Sequence, residues 1–169
     1  TKMKEICELN KNQLEHDRLN YLKFPQNNQR FEDALKKSCK NKYTLITEIK
    51  KASPSKGIIR EDFNPKELAI SYEKGGASCL SVLTDVNYFQ GCKEYITQIK
   101  EVVSIPVLRK EFMIDPLQVI ETKNLGADCI LIIIGMNSID ENKMIESMAL
   151  DIGLECILEV HSLEELEAT

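Results

Sequence analysis

Four ionisable residues stand where apolar segments end. Glu48 and Lys50 stand at the end of the segment that starts at Tyr43, Lys110 follows Pro106-Val107-Leu108-Arg109, and Glu159 lies between Leu158 and Val160. Residues two apart in a strand share a face, so Glu48 and Lys50 point the same way, alongside Ile46. A carboxylate with apolar neighbours, such as Glu159, is costly unless something compensates it. Carboxylates and ammoniums interleaved in a low-dielectric cup perturb one another's protonation and suit general acid and base work. Each alone also reads as a strand-end charge reaching solvent. What singles them out is their recurrence at equivalent ends of three strands.

Other residues gather on the same side. Lys51-Ala52-Ser53-Pro54-Ser55-Lys56-Gly57 offers hydroxyls, backbone donors and ammoniums suited to an oxyanion such as phosphate, or reads as an exposed turn. Phe89 and Phe112 fall in strand-to-helix loops, where they wall an aromatic substrate or simply pack beneath a loop. His16 and His161, the only histidines, have no second ligand at metal spacing. His161 follows the fifth strand, as a solvent-facing loop residue or a lining of the site. No Gly-rich nucleotide fingerprint or Ser-His-Asp arrangement is present, so the chemistry is expected to need neither cofactor nor metal.

The elements that must carry these residues show in a repeat. Gly76-Ala77-Ser78-Cys79-Leu80, Gly126-Ala127-Asp128-Cys129-Ile130 and Gly153-Leu154-Glu155-Cys156-Ile157 each read as a helix-ending glycine feeding a strand. The helices before the first two start alike, with Asn64-Pro65-Lys66-Glu67 and Asp115-Pro116-Leu117-Gln118. The segments after these glycines, Leu80 to Leu83, Ile130 to Ile134 and Ile157 to Val160, are apolar on both parities, as in a buried parallel sheet, and two more strands, Tyr43 to Ile49 and Ile105 to Arg109, fit the scheme. With Glu48, Thr84, Lys110, Ile134 and Glu159 as markers of their C-terminal ends, the steps are 36, 26, 24 and 25 residues, the cadence of βα units. This favours an α/β fold of the (β/α)8 TIM-barrel type over a doubly wound sheet, with five units present. Ser162 and Glu165 are placed to cap a further helix just before the last residue. The chain reads as the front part of a longer protein.

Residues 1–40 precede the first strand as a helical extension, and 1–169 reads as one partial barrel domain. Apolar stripes at Ile6, Leu9, Leu14, Leu19 and Leu22, then at Phe31, Ala34 and Leu35, flank a break at Phe24 to Asn28 and predict two helices packed on the barrel. The net charge of −5 excludes a basic nucleic-acid or anionic-membrane surface, and no apolar run approaches a membrane span. Six dispersed cysteines and no secretory leader predict reduced thiols in a cytoplasmic protein. An open five-strand sheet exposes its edges, which predicts self-association through them.

The string Glu48-Ile49-Lys50-Lys51-Ala52-Ser53-Pro54-Ser55-Lys56-Gly57 resembles the first-strand signature of indole-3-glycerol-phosphate synthases. It is joined in order by Asp85 to Gly91, Val107 to Phe112, Leu158-Glu159-Val160 and, in the extension, Arg30 to Leu35. The resemblance implies closure of a pyrrole ring on 1-(2-carboxyphenylamino)-1-deoxyribulose 5-phosphate, with loss of carbon dioxide and water and no cofactor. It implies Lys110 as general acid, Glu159 in proton transfer or cation stabilisation, Glu48 assisting, and Lys50 at the departing carboxylate or in dehydration. Ser53 would hold phosphate, and Phe89 and Phe112 the anthranilate ring. The family draws further groups from strands six to eight, so this chain alone is expected to be inactive or nearly so.

Overall fold

The computed structural model describes residues 2–23, 30–39, 43–167 and 169. The break read at Phe24 to Asn28 lies outside them. Three helices come first, α1 (Lys2–Cys7), α2 (Lys11–Lys23) and α3 (Arg30–Cys39). Then β1 (Ile46–Ile49), a hairpin of β2 (Ala52–Ser53) and β3 (Gly57–Ile58), α4 (Pro65–Lys74), β4 (Cys79–Leu83), α5 (Val86–Phe89) and α6 (Glu94–Lys100) follow. The chain continues through β5 (Val107–Lys110), α7 (Pro116–Leu125), β6 (Cys129–Ile133), α8 (Ile139–Asp151), β7 (Glu155–Glu159) and α9 (Leu163–Glu167). β1, β4, β5, β6 and β7 form one parallel sheet in that order.

Helix boundaries follow the local chemistry. The Asn64 side chain accepts from the amides of Lys66 and Glu67 ahead of α4. Asp115 and Gln118 close a full capping box on α7, with Pro116 in the first turn. Gly76, Gly126 and Gly153 all take positive φ, at 94°, 89° and 73°, where a side chain would be strained and glycine is not. The paired strands differ by a few residues from their sequence reading. β1 begins at Ile46, because Tyr43 and Leu45 lie exposed at the sheet's edge, and β5 begins only after Pro106, which lacks an amide to donate.

The sheet is covered on both sides. Leu80, Val82 and Val107 face Ala69 of α4 and Ile96 and Ile99 of α6. Ile130 and Ile132 pack with Val119 and Ile120 of α7, Ile145 and Ala149 of α8, and Leu14 of α2. The opposite parity, Cys79, Leu108, Cys129 and Leu131, closes around Phe31 of α3. The extension thus packs on two surfaces, α2 outside and α3 against the inner face. Only part of its predicted stripe is buried: Ile6 and Leu14 are, whereas Leu19 and Leu22 remain exposed.

Candidate active site

The strands' C-terminal ends bring the four predicted charges together. Glu48, Lys110 and Glu159 do not lie in one register row. Glu48 pairs with Ser81, Ser81 with Leu108, Leu108 with Cys129 and Cys129 with Glu155. Lys110 therefore stands two residues beyond that row, and Glu159 four beyond it. That they still meet reflects the stagger of strands tilted as in a closing barrel.

Lys50 Nζ donates to Glu48 Oε1, and Glu48 Oε2 lies 3.9 Å from Lys110 Nζ. Lys110 Nζ donates to Glu159 Oε2 at 3.3 Å, and Glu159 Oε1 faces His161 Nε2 at 3.2 Å. The charges alternate in sign along this line, and Glu48, Lys50, Lys110 and Glu159 are each about one-third exposed in their side chains. They are desolvated enough to feel one another and open enough to meet a small molecule. Lys110 has a carboxylate on either side, so its ammonium is held between two acceptors with its N–H groups directed by them.

A hollow beside Lys110 and Glu159 is lined by Leu83, Asp85, Phe89, Phe112, Leu131 and Ile133. The Phe89 and Phe112 rings stand 6.3 Å apart, and Tyr88 meets Phe112 edge-on at 5.9 Å. Phe89 is held by the single turn of α5, whose cap Asp85 accepts from the Tyr88 amide at 2.6 Å. Gln90 then adopts φ 48°, and Gly91 folds back so closely that a Cβ there would lie 2.5 Å from the Leu83 carbonyl oxygen.

Ser53 takes no part in this line of contacts. It sits in the β2–β3 hairpin just beyond Lys50, where its hydroxyl accepts from the Lys56 amide at 3.3 Å, and β2 packs against α5. His161 is exposed at its tip yet touches Glu159, and its amide donates to Glu165 Oε2 at 2.6 Å. Sequence reasoning left His161 open between these surroundings. It missed Asp85, whose signal was its position one residue before the α5 turn, and the aliphatic floor of Leu131 and Ile133. Among the described residues no three His, Cys, Asp or Glu side chains converge on one point as a metal site would require, and no helix is long and apolar enough to cross a membrane.

A family model described as indole-3-glycerol phosphate synthase matches residues 1–169. The chain belongs to the indole-3-glycerol phosphate synthase family. An indole-3-glycerol phosphate synthase of Polynucleobacter necessarius is 54% identical over 78% of this chain and 49% of its own length. That of Zymomonas mobilis subsp. pomaceae is 48% identical over 99% of this chain and 64% of its own. The chain thus spans about half to two-thirds of the length of these relatives. Tryptophan synthase alpha subunits from Legionella pneumophila share the fold, with TM-scores of 0.54 and 0.51 at 16% and 15% identity, over 82% of this chain and 62% and 61% of theirs. The structural neighbours agree with the arrangement of strands seen here.

Proposed function

We propose that this chain supplies the acid-base and aromatic part of an indole-3-glycerol phosphate synthase site. The substrate is 1-(2-carboxyphenylamino)-1-deoxyribulose 5-phosphate. What carries the reading is Lys110, set between Glu48 and Glu159 beside a hollow walled by Phe89 and Phe112, in a chain of this family.

The ring lies against the wall formed by Phe89 and Phe112, and Ser53 with its hairpin amides receives the phosphate. Lys110 donates a hydrogen bond to the ketose carbonyl oxygen and protonates it as the ring carbon bearing the carboxylate attacks. Positive charge develops on the ring nitrogen, and Glu159 stabilises it. Lys50, held by Glu48, neutralises the substrate carboxylate until carbon dioxide departs, or acts as acid in dehydration. The hydroxyl derived from the ketose then leaves as water, protonated by an ammonium, while a carboxylate takes the ring proton that restores aromaticity. Atoms and charge balance with no outside oxidant or reductant.

The sheet's two unpaired edges, on β1 and β7, offer surfaces for a further strand or a second copy of the chain. The site is bounded on only one side by these five strands, so the 169-residue chain alone is expected to turn over poorly. In the intact protein, Lys110→Ala should abolish the growth of indole fluorescence with this substrate. Full retention of turnover would refute the assignment.

A further inference from the structure

A cluster of buried charge among the described residues is not used by the reaction just described. It lies on the outer side of β4 and β5, beneath α1. Asp85 and Glu111, each 2% exposed in the side chain, face Lys2 Nζ at 3.2 and 3.0 Å. Lys2 is itself 12% exposed. Glu111 also accepts from Thr84 Oγ1 at 2.8 Å, and Arg109 lies 3.8 Å from it. Arg109 is the weaker partner, since it is committed to Glu121 at 2.9 Å and to Thr122 at 2.9 Å, and Glu121 is shared with Lys93. Asp85 Oδ2 has no hydrogen-bond partner other than the Lys2 contact. Two buried carboxylates therefore depend chiefly on one ammonium.

Both carboxylates hold backbone that leads directly to the hollow. Asp85 Oδ1 accepts from the Tyr88 amide and so caps the turn carrying Phe89. Glu111 Oε1 accepts from the Phe112 amide at 2.9 Å. Arg109 and Glu111 flank Lys110 and, by strand parity, anchor it from the opposite side. α1 is tied to α5 as well, because Glu5, which pairs with Lys2 at 2.6 Å, accepts from Asn87 Nδ2 at 3.0 Å.

We infer that Lys2 is a positioning residue of the candidate site. As the shared counter-ion of Asp85 and Glu111, it fixes the loops that bear Phe89 and Phe112, and with them the substrate-binding wall. Burial by itself would pull the Lys2 ammonium down, yet Glu5, Glu111 and Asp85 together hold it above the ordinary lysine value. Lys2 thus stays charged at every pH at which the enzyme would work. α1 acts on the pocket without touching substrate.

The test is amide hydrogen exchange followed by NMR in the intact protein. In Lys2→Met the Tyr88 and Phe112 amides should exchange about tenfold faster or more, while the Phe31 amide at the other end of the strands changes by less than about twofold. Lys2→Arg, which keeps the charge, should retain wild-type exchange. Unchanged Tyr88 and Phe112 protection in Lys2→Met would overturn the inference, as would equal acceleration at Phe31, which would mark a general loosening. Should Lys2→Met fail to fold, Lys2→Met/Glu111→Gln removes one carboxylate charge with the ammonium, and the Tyr88 amide serves as reporter in the same way. The kinetic arm rests on the synthase reading. There KM should rise about tenfold with kcat changed less than threefold, and an equal loss confined to kcat would count against a wall-positioning role. The exchange arm needs no turnover, so it stands or falls separately from that reading.

Discussion

Glu155 and Glu159 stand on the same strand with the same parity, and the fold gives them opposite tasks. At the strand's start, Glu155 accepts from the amides of Phe31 and Glu32, both at 2.7 Å, and so caps α3 against the sheet. Nearby, Asp128 accepts from the Val107 amide at 2.9 Å and from Lys100 at 2.7 Å, and Glu73 accepts from the amides of Ser104 and Ile105. At the strand's end, Glu159 and Glu48 touch only side chains. Carboxylates at one end complete backbone hydrogen bonding, where a substitution strands buried donors. Glu48 and Glu159, at the other end, meet only the side chains of Lys50, Lys110 and His161, so their geometry is available to a substrate at little expense in stability.

The sharpest way to break this contrast is to remove each glutamate in turn. Glu155→Ala should destabilise the intact protein by about 3 kcal/mol, since two hydrogen bonds to a charged acceptor are lost and two helix-end amides are left bare. Glu159→Ala should lower stability by less than about 1 kcal/mol and yet abolish turnover. Urea unfolding and an indole fluorescence assay read both. Equal destabilisation by the two would erase the distinction between the ends.

A second effect, somewhat smaller, lies at the upper rim. Gly91→Ala puts a Cβ 2.5 Å from the Leu83 carbonyl oxygen and 2.8 Å from the Thr84 carbonyl carbon, both backbone and unable to yield cheaply. The loop must move, and Phe89 with it. Thermal unfolding should report a loss of about 2 kcal/mol, accompanied by a higher KM. A wild-type KM would mean that Phe89 does not bound the pocket.

The upper end was legible because strand parity is a strong constraint. Glu48, Lys50, Lys110 and Glu159 were found from charge at the ends of apolar runs, and the staggered sheet does bring them within contact. Caps at Asn64 and Asp115 and turns at Gly76, Gly126 and Gly153 were equally readable, since each depends on its own residue type. The lower end was not. Glu155 and Asp128 owe their roles to α3 and to the loop before β5, whose docking depends on tertiary geometry that no local pattern encodes. The same holds for Lys2, which meets Asp85 and Glu111 only because α1 folds over β4 and β5. Ser53 follows the first strand in a hairpin whose pairing no local pattern in the sequence encodes.

The lower end should also reveal itself through pH. The Ser104 backbone and side-chain groups and the Ile105 amide, outweighing a smaller opposing effect of burial, hold the Glu73 carboxyl below its ordinary range. A carboxyl depressed in the folded state contributes stability above its unfolded value, near pH 4.3, and loses it as pH falls through the folded value. Glu73→Gln should therefore be less stable than wild type at pH 7, with the gap closing on acidification below about pH 4. A gap independent of pH would show that shape rather than charge fixes this contact.

The smallest expected signal is kinetic and comes from thiols. Cys79 and Cys129 are fully buried on the inner face beside Phe31, whereas Cys7 is exposed on α1. Burial, with the Asp128 and Glu155 charges adding to it, pushes the Cys79 thiol up to about 12, and burial also drives Cys129 upward. Alkylation proceeds through the thiolate, so in the folded protein iodoacetamide should modify Cys7 long before either. Cys79 and Cys129 should then react only through opening of the end that Phe31 closes, and Glu155→Ala, which frees α3, should speed their labelling while Glu159→Ala leaves it unchanged. Mass spectrometry of time-quenched samples reads the order. Acceleration by Glu159→Ala to the same degree would mean that the charged mouth, and not the capped base, keeps this half of the sheet shut.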